Sequence, residues 1–240
     1  EDITFFNSVK YKDLSLKTKA KACISTKNLF KYLPKNCIKI DVKNVLFAVT
    51  LTSKMFYPTA DMDFPDNSLK KAEDLKNFSN VKFGTNVLIG KNVLIGKNTC
   101  IASNTIIESN VVIGENCSIG SFVTIKNSLI ANDVHIQDGC KIGVKGFGFI
   151  PIKDKNIRSP HVGSVILEDG VEIGANSTID RGSLTNTVIG GNTFLDNQVH
   201  VAHNVKIGKN CMIAGQVGFA GSTVLGDNVV IGGQAGISGH

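Results

Sequence analysis

A chain of 240 residues can bury a sizeable core, yet aromatics make up only 7% and Trp is absent, so the composition predicts a thin, repetitive core of Ile and Val. The formal net charge of +6 fits an anionic partner such as a nucleotide sugar or an acidic carrier protein, and equally a solvated lysine surface over the first 80 positions. No apolar run reaches the ~20 residues of a membrane span, no signal-peptide pattern is present, and the six cysteines show neither a Cys-x-x-Cys pair nor metal-ligand spacing.

Residues 1–80 read as a small mixed α/β unit followed by a linker. Ile3-Thr4-Phe5-Phe6, Ala22-Cys23-Ile24-Ser25 and Cys37-Ile38-Lys39-Ile40-Asp41 have strand character between turn-forming neighbours. Asn44 to Phe56 carries apolar residues at helical spacing. The polar, proline-containing stretch 58–67 reads as the linker, with a short helix over 68–78. The chain starts at Glu1 within strand-like sequence, which suggests a trimmed fragment.

From Phe83 a six-residue period governs the chain, the second domain at 81–240. Ile89, Ile95, Ile101, Ile107, Ile113, Ile119 and Ile125 follow one another at intervals of six, and a second run extends from Ile189 to Ile237. A small or branched residue stands two places before each of these, so alternation turns both inward from a short strand. Cys117, Cys140 and Cys211 occupy that slot and read as small core residues, which points to a reducing cytosol. Three places after the apolar residue comes Asn, Asp or Gly almost throughout, the residues that best tolerate positive φ at a tight corner. Three six-residue sides make a coil of about 18 residues, and stacked coils make a parallel β-helix.

The period breaks twice. Between Ile142 and Leu167, residues 143–164 must leave the prism as an excursion loop. Its glycines, Gly143, Gly146 and Gly148, resemble a phosphate loop only superficially, because no helix pattern follows; cover for a neighbouring subunit is the better reading. The second break adds four residues around Asp180-Arg181-Gly182 and reads as a bulged corner.

Among five histidines, His135 and His161 read as surface residues, and His200 as an outward strand residue. His203 and His240 are 37 positions apart in sequence, two coils plus one residue, so they share a corner roughly 10 Å apart along the axis. Gly221, one coil beyond His203, lies between them and leaves a slot with an exposed backbone N–H. An imidazole titrating near neutral pH beside such an amide meets the needs of acyl transfer: a base for the attacking amine or hydroxyl, and a donor for the oxyanion. No Ser or Cys is visibly paired with a base, so direct transfer is the simpler mechanism.

The stretch Asp196-Asn197-Gln198-Val199-His200-Val201-Ala202-His203-Asn204 resembles the D-N-Q-x-x-I-A-H-N signature of the UDP-3-O-(3-hydroxyacyl)glucosamine N-acyltransferases of lipid A biosynthesis, within the hexapeptide-repeat acyltransferases. Gly146-Phe147-Gly148-Phe149, Thr178-Ile179-Asp180-Arg181-Gly182 and Ser238-Gly239-His240 are similar to further motifs of that family, as is Thr4-Phe5-Phe6-Asn7-Ser8-Val9-Lys10-Tyr11. The resemblance implies a left-handed prism and a cytoplasmic homotrimer with sites between subunits. It implies that His203 is the general base on the 2-amino group, that Gly221 N–H belongs to the oxyanion site, and that His240 assists near the donor. It also implies that Phe5, Asn7 and Tyr11 hold the uridine, that Asp196 and Asn197 line the sugar or steer His203, and that no metal or bound cofactor is needed. The donor would be a 3-hydroxyacyl thioester on the 4'-phosphopantetheine of acyl carrier protein, and the acceptor UDP-3-O-acylglucosamine. Two departures stand out: Ser8-Val9 replaces the family's proline segment, and His200 replaces a residue that is usually Gln. The family also continues with further coils and a helical tail.

Rival readings remain on the same prism. An O-acyltransferase acting on UDP-N-acetylglucosamine would lack the amino-terminal unit. A γ-class carbonic anhydrase would need three zinc histidines, and a non-enzymatic solenoid should carry a regular outward ladder of like residues.

Overall fold

The computed structural model describes residues 2–76 and 78–239. The chain packs into two units, one of residues 1–63 with 148–160, the other of residues 64–147 with 161–240.

In the first unit, the strands Ile3–Phe6, Ala22–Ser25 and Ile38–Asp41 form a parallel sheet in sequence order. Phe6, Cys23, Leu29, Leu33 and Cys37 close a small core beneath it. The helix Val45–Phe56 is capped by Asn44, whose side chain accepts the Phe47 N–H at 3.0 Å. The excursion expected as a loop is a β-hairpin here: Phe149–Ile152 pairs antiparallel with Lys155–Arg158, and the Arg158 guanidinium lies 4.5 Å over the Phe149 ring.

The second unit is the parallel β-helix that the period predicts. Strands of two to four residues stack into three sheets, with partners 18 residues apart in the regular coils, as in Leu88↔Ile106 and Val201↔Phe219. The hand is left, the fold of its hexapeptide-repeat neighbours. The inward Ile series is buried from Ile101 to Ile213, and Phe219 fills the same slot near the carboxyl end. Cys117, Cys140 and Cys211 are buried in that core as free thiols, as their slot requires.

Corner residues adopt the left-handed conformation: Asn92, Asn98, Asn104, Asn110 and Asn116 have φ of 56–64°. Their amides also bond from coil to coil, Asn92 Nδ2 donating to Asn110 Oδ1 at 3.0 Å and Asn98 Nδ2 to Asn116 Oδ1 at 3.1 Å. The same side chain that tolerates the turn therefore ties successive turns together.

Composition sets the domain boundary at residue 80, whereas packing sets it after Asp63. The reason is local: Lys70–Lys71 pairs antiparallel with Leu88–Ile89, and Asp66 accepts hydrogen bonds from Ser109 N and Oγ at 2.8 and 2.6 Å. Burial alone would raise the Asp66 carboxyl, but hydrogen bonds from Ser109 and Ser68 hold it well below the usual carboxylate range. In place of a helix over 68–78 there is a short 3-10 turn, Ala72–Asp74.

Candidate active site

His203 follows the two-residue strand His200–Val201, at the corner where the chain turns toward Lys206–Ile207. It is partly buried and lines an open groove of about 630 Å³ with Phe147, His200, Gly218, Gly221 and Ser238.

The orientation of the His203 ring follows from its neighbour. Asn204, at φ 62°, accepts the Ser183 N–H at 3.0 Å and the Ser183 hydroxyl at 2.7 Å on Oδ1. Its Nδ2 donates to the Thr185 carbonyl at 3.4 Å and to the Thr185 hydroxyl. A backbone N–H can only donate and a carbonyl can only accept, so both ends of the amide are assigned independently. His203 Nδ1 lies 2.9 Å from the same Oδ1 and must therefore be the N–H donor. In the neutral ring the lone pair is then on Nε2.

Ser183 and Thr185 belong to the four-residue insertion after Ile179. The sequence reads it as a plain bulged corner, but it is the scaffold that fixes Asn204 and, through Asn204, the histidine. Gly182 makes the tight turn possible, because a Cβ there would meet Thr185 O at 1.6 Å. The sequence shows Asn204 as a corner residue and the end of a family signature but not as the partner of His203 or Ser183, since hydrogen bonding across 21 residues leaves no periodic trace.

Gly221 lies against the working end of the ring. A Cβ at that position would be 2.7 Å from both Cε1 and Nε2 of His203. Only glycine therefore fits against the ring without displacing it. On the amino-terminal side Gly146 is equally close, with a virtual Cβ 2.9 Å from His203 Cβ. His161, expected at the surface, is 1% exposed and sits with its ring centroid 5.0 Å from that of His203. The chain rejoins the prism at this point, which buries a residue that loop-like sequence alone would leave in solvent.

The other expected site residues are distributed as follows. His240 lies outside the described residues. Asp196 and Asn197 are exposed on a different corner, between the Phe194–Leu195 and His200–Val201 strands, and line a separate hollow with Phe194 and Met212. Asn197 Oδ1 accepts the Ala175 N–H at 2.7 Å, a corner tie between coils. Within one chain neither residue steers His203; Asn204 does. Phe5, Asn7 and Tyr11 are exposed on the first unit. His200 lines the groove, with Nδ1 hydrogen-bonded to Thr178 Oγ1 at 2.8 Å, and burial lowers its pKa. Asp180 is 5% exposed, and burial raises its carboxyl to about 7. Among the described residues, no three His, Cys, Asp or Glu side chains gather as a metal site, and no helix is long and apolar enough to cross a membrane.

The model of bacterial transferase hexapeptides (six repeats) matches residues 92–127 and 186–221. UDP-3-O-acylglucosamine N-acyltransferase of Azorhizobium caulinodans is 47% identical over 83 residues, 35% of this chain and 23% of that protein. UDP-3-O-acylglucosamine N-acyltransferase 2 of Nitrobacter winogradskyi is 52% identical over 83 residues, 35% of this chain and 24% of that protein. The chain thus aligns with about a quarter of the length of these relatives. Among solved structures, UDP-N-acetylglucosamine acyltransferase from Campylobacter jejuni superposes with a TM-score of 0.57 at 23% identity, covering 66% of this chain and 60% of that one, a likeness of fold. By its repeats and coils the chain is a hexapeptide-repeat left-handed parallel β-helix, and its matched segment is similar to the UDP-3-O-acylglucosamine N-acyltransferases.

Proposed function

We propose that this chain is an N-acyltransferase that moves a 3-hydroxyacyl group from an acyl carrier protein thioester to the 2-amino group of UDP-3-O-(3-hydroxyacyl)glucosamine. The observation that carries this reading is His203, with Nδ1 committed to Asn204 and Nε2 facing a corner that only glycine leaves open. The activity of the relatives matched at 47% and 52% identity, UDP-3-O-acylglucosamine N-acyltransferases by name, supports the substrate class.

The chemistry is a direct displacement. The amine nitrogen attacks the thioester carbonyl carbon while His203 Nε2 takes its proton, and the carbonyl oxygen becomes an oxyanion. The Gly221 amide is assigned to that oxyanion, since those of Ala220 and Ser222 already donate to Ile237 O and His203 O. Collapse breaks the carbon–sulfur bond, the imidazolium returns its proton to the leaving thiolate, and the products are an amide and the free thiol of the 4'-phosphopantetheine arm. No bound cofactor takes part.

His240 is assigned a role toward the acyl donor. Phe5, Asn7 and Tyr11, two aromatics and an amide exposed on the first unit, are assigned to the uridine. Asp196 and Asn197 are assigned to substrate through a homotrimer. Their face exposes Phe194, Met212 and Val230 on adjoining strands, an apolar strip suited to burial against a second copy. A cytoplasmic location agrees with free, buried cysteines in the core.

The test is turnover of an acyl carrier protein thioester with the UDP-3-O-acylglucosamine acceptor. His203→Ala should lose at least about 100-fold, the lower end of general-base effects. Full activity in that variant would sink the mechanism, and acylation of UDP-N-acetylglucosamine in place of the amine would sink the substrate assignment.

A further inference from the structure

The displacement above uses one face of His203 and leaves a buried imidazole against the other. His161 is the first residue of the chain's return to the prism and is almost wholly buried. Its ring lies 5.0 Å from that of His203, centroid to centroid, with the planes inclined by 42°. Gly146, at the point of departure, completes the contact: a Cβ there would sit 3.2 Å from His203 Cδ2 and 3.3 Å from His161 Nε2.

Three constraints therefore meet on one imidazole. Asn204 holds Nδ1, Gly221 bounds Cε1 and Nε2 from the carboxyl-terminal side, and His161 with Gly146 bounds Cβ and Cδ2 from the amino-terminal side. A hydrogen bond at Nδ1 alone leaves the ring free to tilt about that bond. A rigid neighbour on the ring flank removes the tilt, and a buried aromatic-sized side chain is well suited to be that neighbour.

We propose that His161 is a positioning residue for the base: it is the wall that holds the His203 ring toward Gly221 and keeps Nε2 aimed into the groove. This rests on the reading of His203 as the general base. The wall is built from the two residues between which the chain leaves and rejoins the β-helix, so the excursion serves the site at its roots.

The experiment compares His161→Ala and His161→Phe with the unaltered chain in two measurements. One is steady-state transfer with the thioester and acceptor. The other is the 15N–1H spectrum of the histidine rings, assigned through His203→Gln, which reports the tautomer and mobility of His203 without any substrate. His161→Ala should lower kcat, counted per folded molecule from thermal unfolding, about tenfold or more with KM for both substrates within about twofold; loss of folded protein alone would leave that per-molecule kcat unchanged. It should also broaden or mix the His203 ring signals. His161→Phe, which rebuilds the wall without ring nitrogens, should restore a single His203 state and most of kcat. Unchanged kcat in His161→Ala, or His203 signals indifferent to both substitutions, would overturn the proposal. If His161→Ala does not fold, the His203 ring state in His161→Phe decides. If the unaltered chain transfers no acyl group, the function fails, while the ring spectra still decide the positioning role.

Discussion

Gly221→Ala is a clean probe of the site because the backbone does not need glycine there; its φ lies outside the left-handed region, so alanine brings no conformational strain. The added Cβ would stand 2.7 Å from Cε1 and Nε2 of His203, and ordinary contact begins at 3.4 Å, so one of the two must move by about 0.7 Å. A free side-chain end would swing aside cheaply. This ring cannot, because Gly146 and His161 close its other side and Asn204 holds Nδ1. A displacement approaching 1 Å at a catalytic group costs roughly 100-fold in rate, or about 2.7 kcal/mol of barrier. The assay is kcat/KM for acyl transfer, with thermal unfolding as a control for the fold. In the double variant with His203→Ala the Gly221→Ala penalty should vanish, since there is no ring left to displace. Wild-type kcat/KM in Gly221→Ala, or full additivity in the double variant, would refute the geometry.

Two further outcomes follow from residues around the same corner. Asn204→Gly keeps a residue at ease at φ 62° but removes the orienting oxygen and the bonds to Ser183 and Thr185, so activity and stability should both fall; Asn204→Ala should lose the same activity and about 1–2 kcal/mol more stability than Asn204→Gly, read from denaturant unfolding. For Asp180 the sign is that of a carboxyl whose folded pKa, about 7, lies above its unfolded value of 3.8. The folded state binds the proton more tightly, so the contribution is fully present below the unfolded value and is lost as pH rises toward 7. Unfolding free energy should therefore drop by about 3 kcal/mol between pH 5 and pH 9 from this group, and Asp180→Asn should flatten that slope. Parallel pH profiles for the two proteins would contradict it.

The prism was legible because its physics is periodic. One Ile every six residues and Asn three places later state the inward face and the positive-φ corner, and the structure repeats both coil after coil. His203 and Gly221 could be placed together by the same arithmetic. What surrounds them could not. Ser183, Thr185 and His161 lie in the two segments where the period fails, and a break in a pattern shows that something departs without showing where it returns. His161 read as surface because its neighbours look like a loop, and only the closure of the prism buries it. Asp196 and Asn197 share a nine-residue stretch with His203, yet the strand His200–Val201 intervenes, and closeness in sequence became separation onto two corners.

The registers carry one more consequence. Most strand pairs step by 18 residues, but Val112 pairs with Leu129, Ser128 with Val165 and Val165 with Thr187, and the regular step resumes at once, as Val188 with Lys206. Each coil takes its alignment from the coil beneath it and keeps no memory of how much chain was spent in between. For the register, an insertion is thus a private event. Such a scaffold can acquire chemistry at one corner without realigning the coils beyond, and here the two insertions fall in the two successive coils that precede the one holding the histidine.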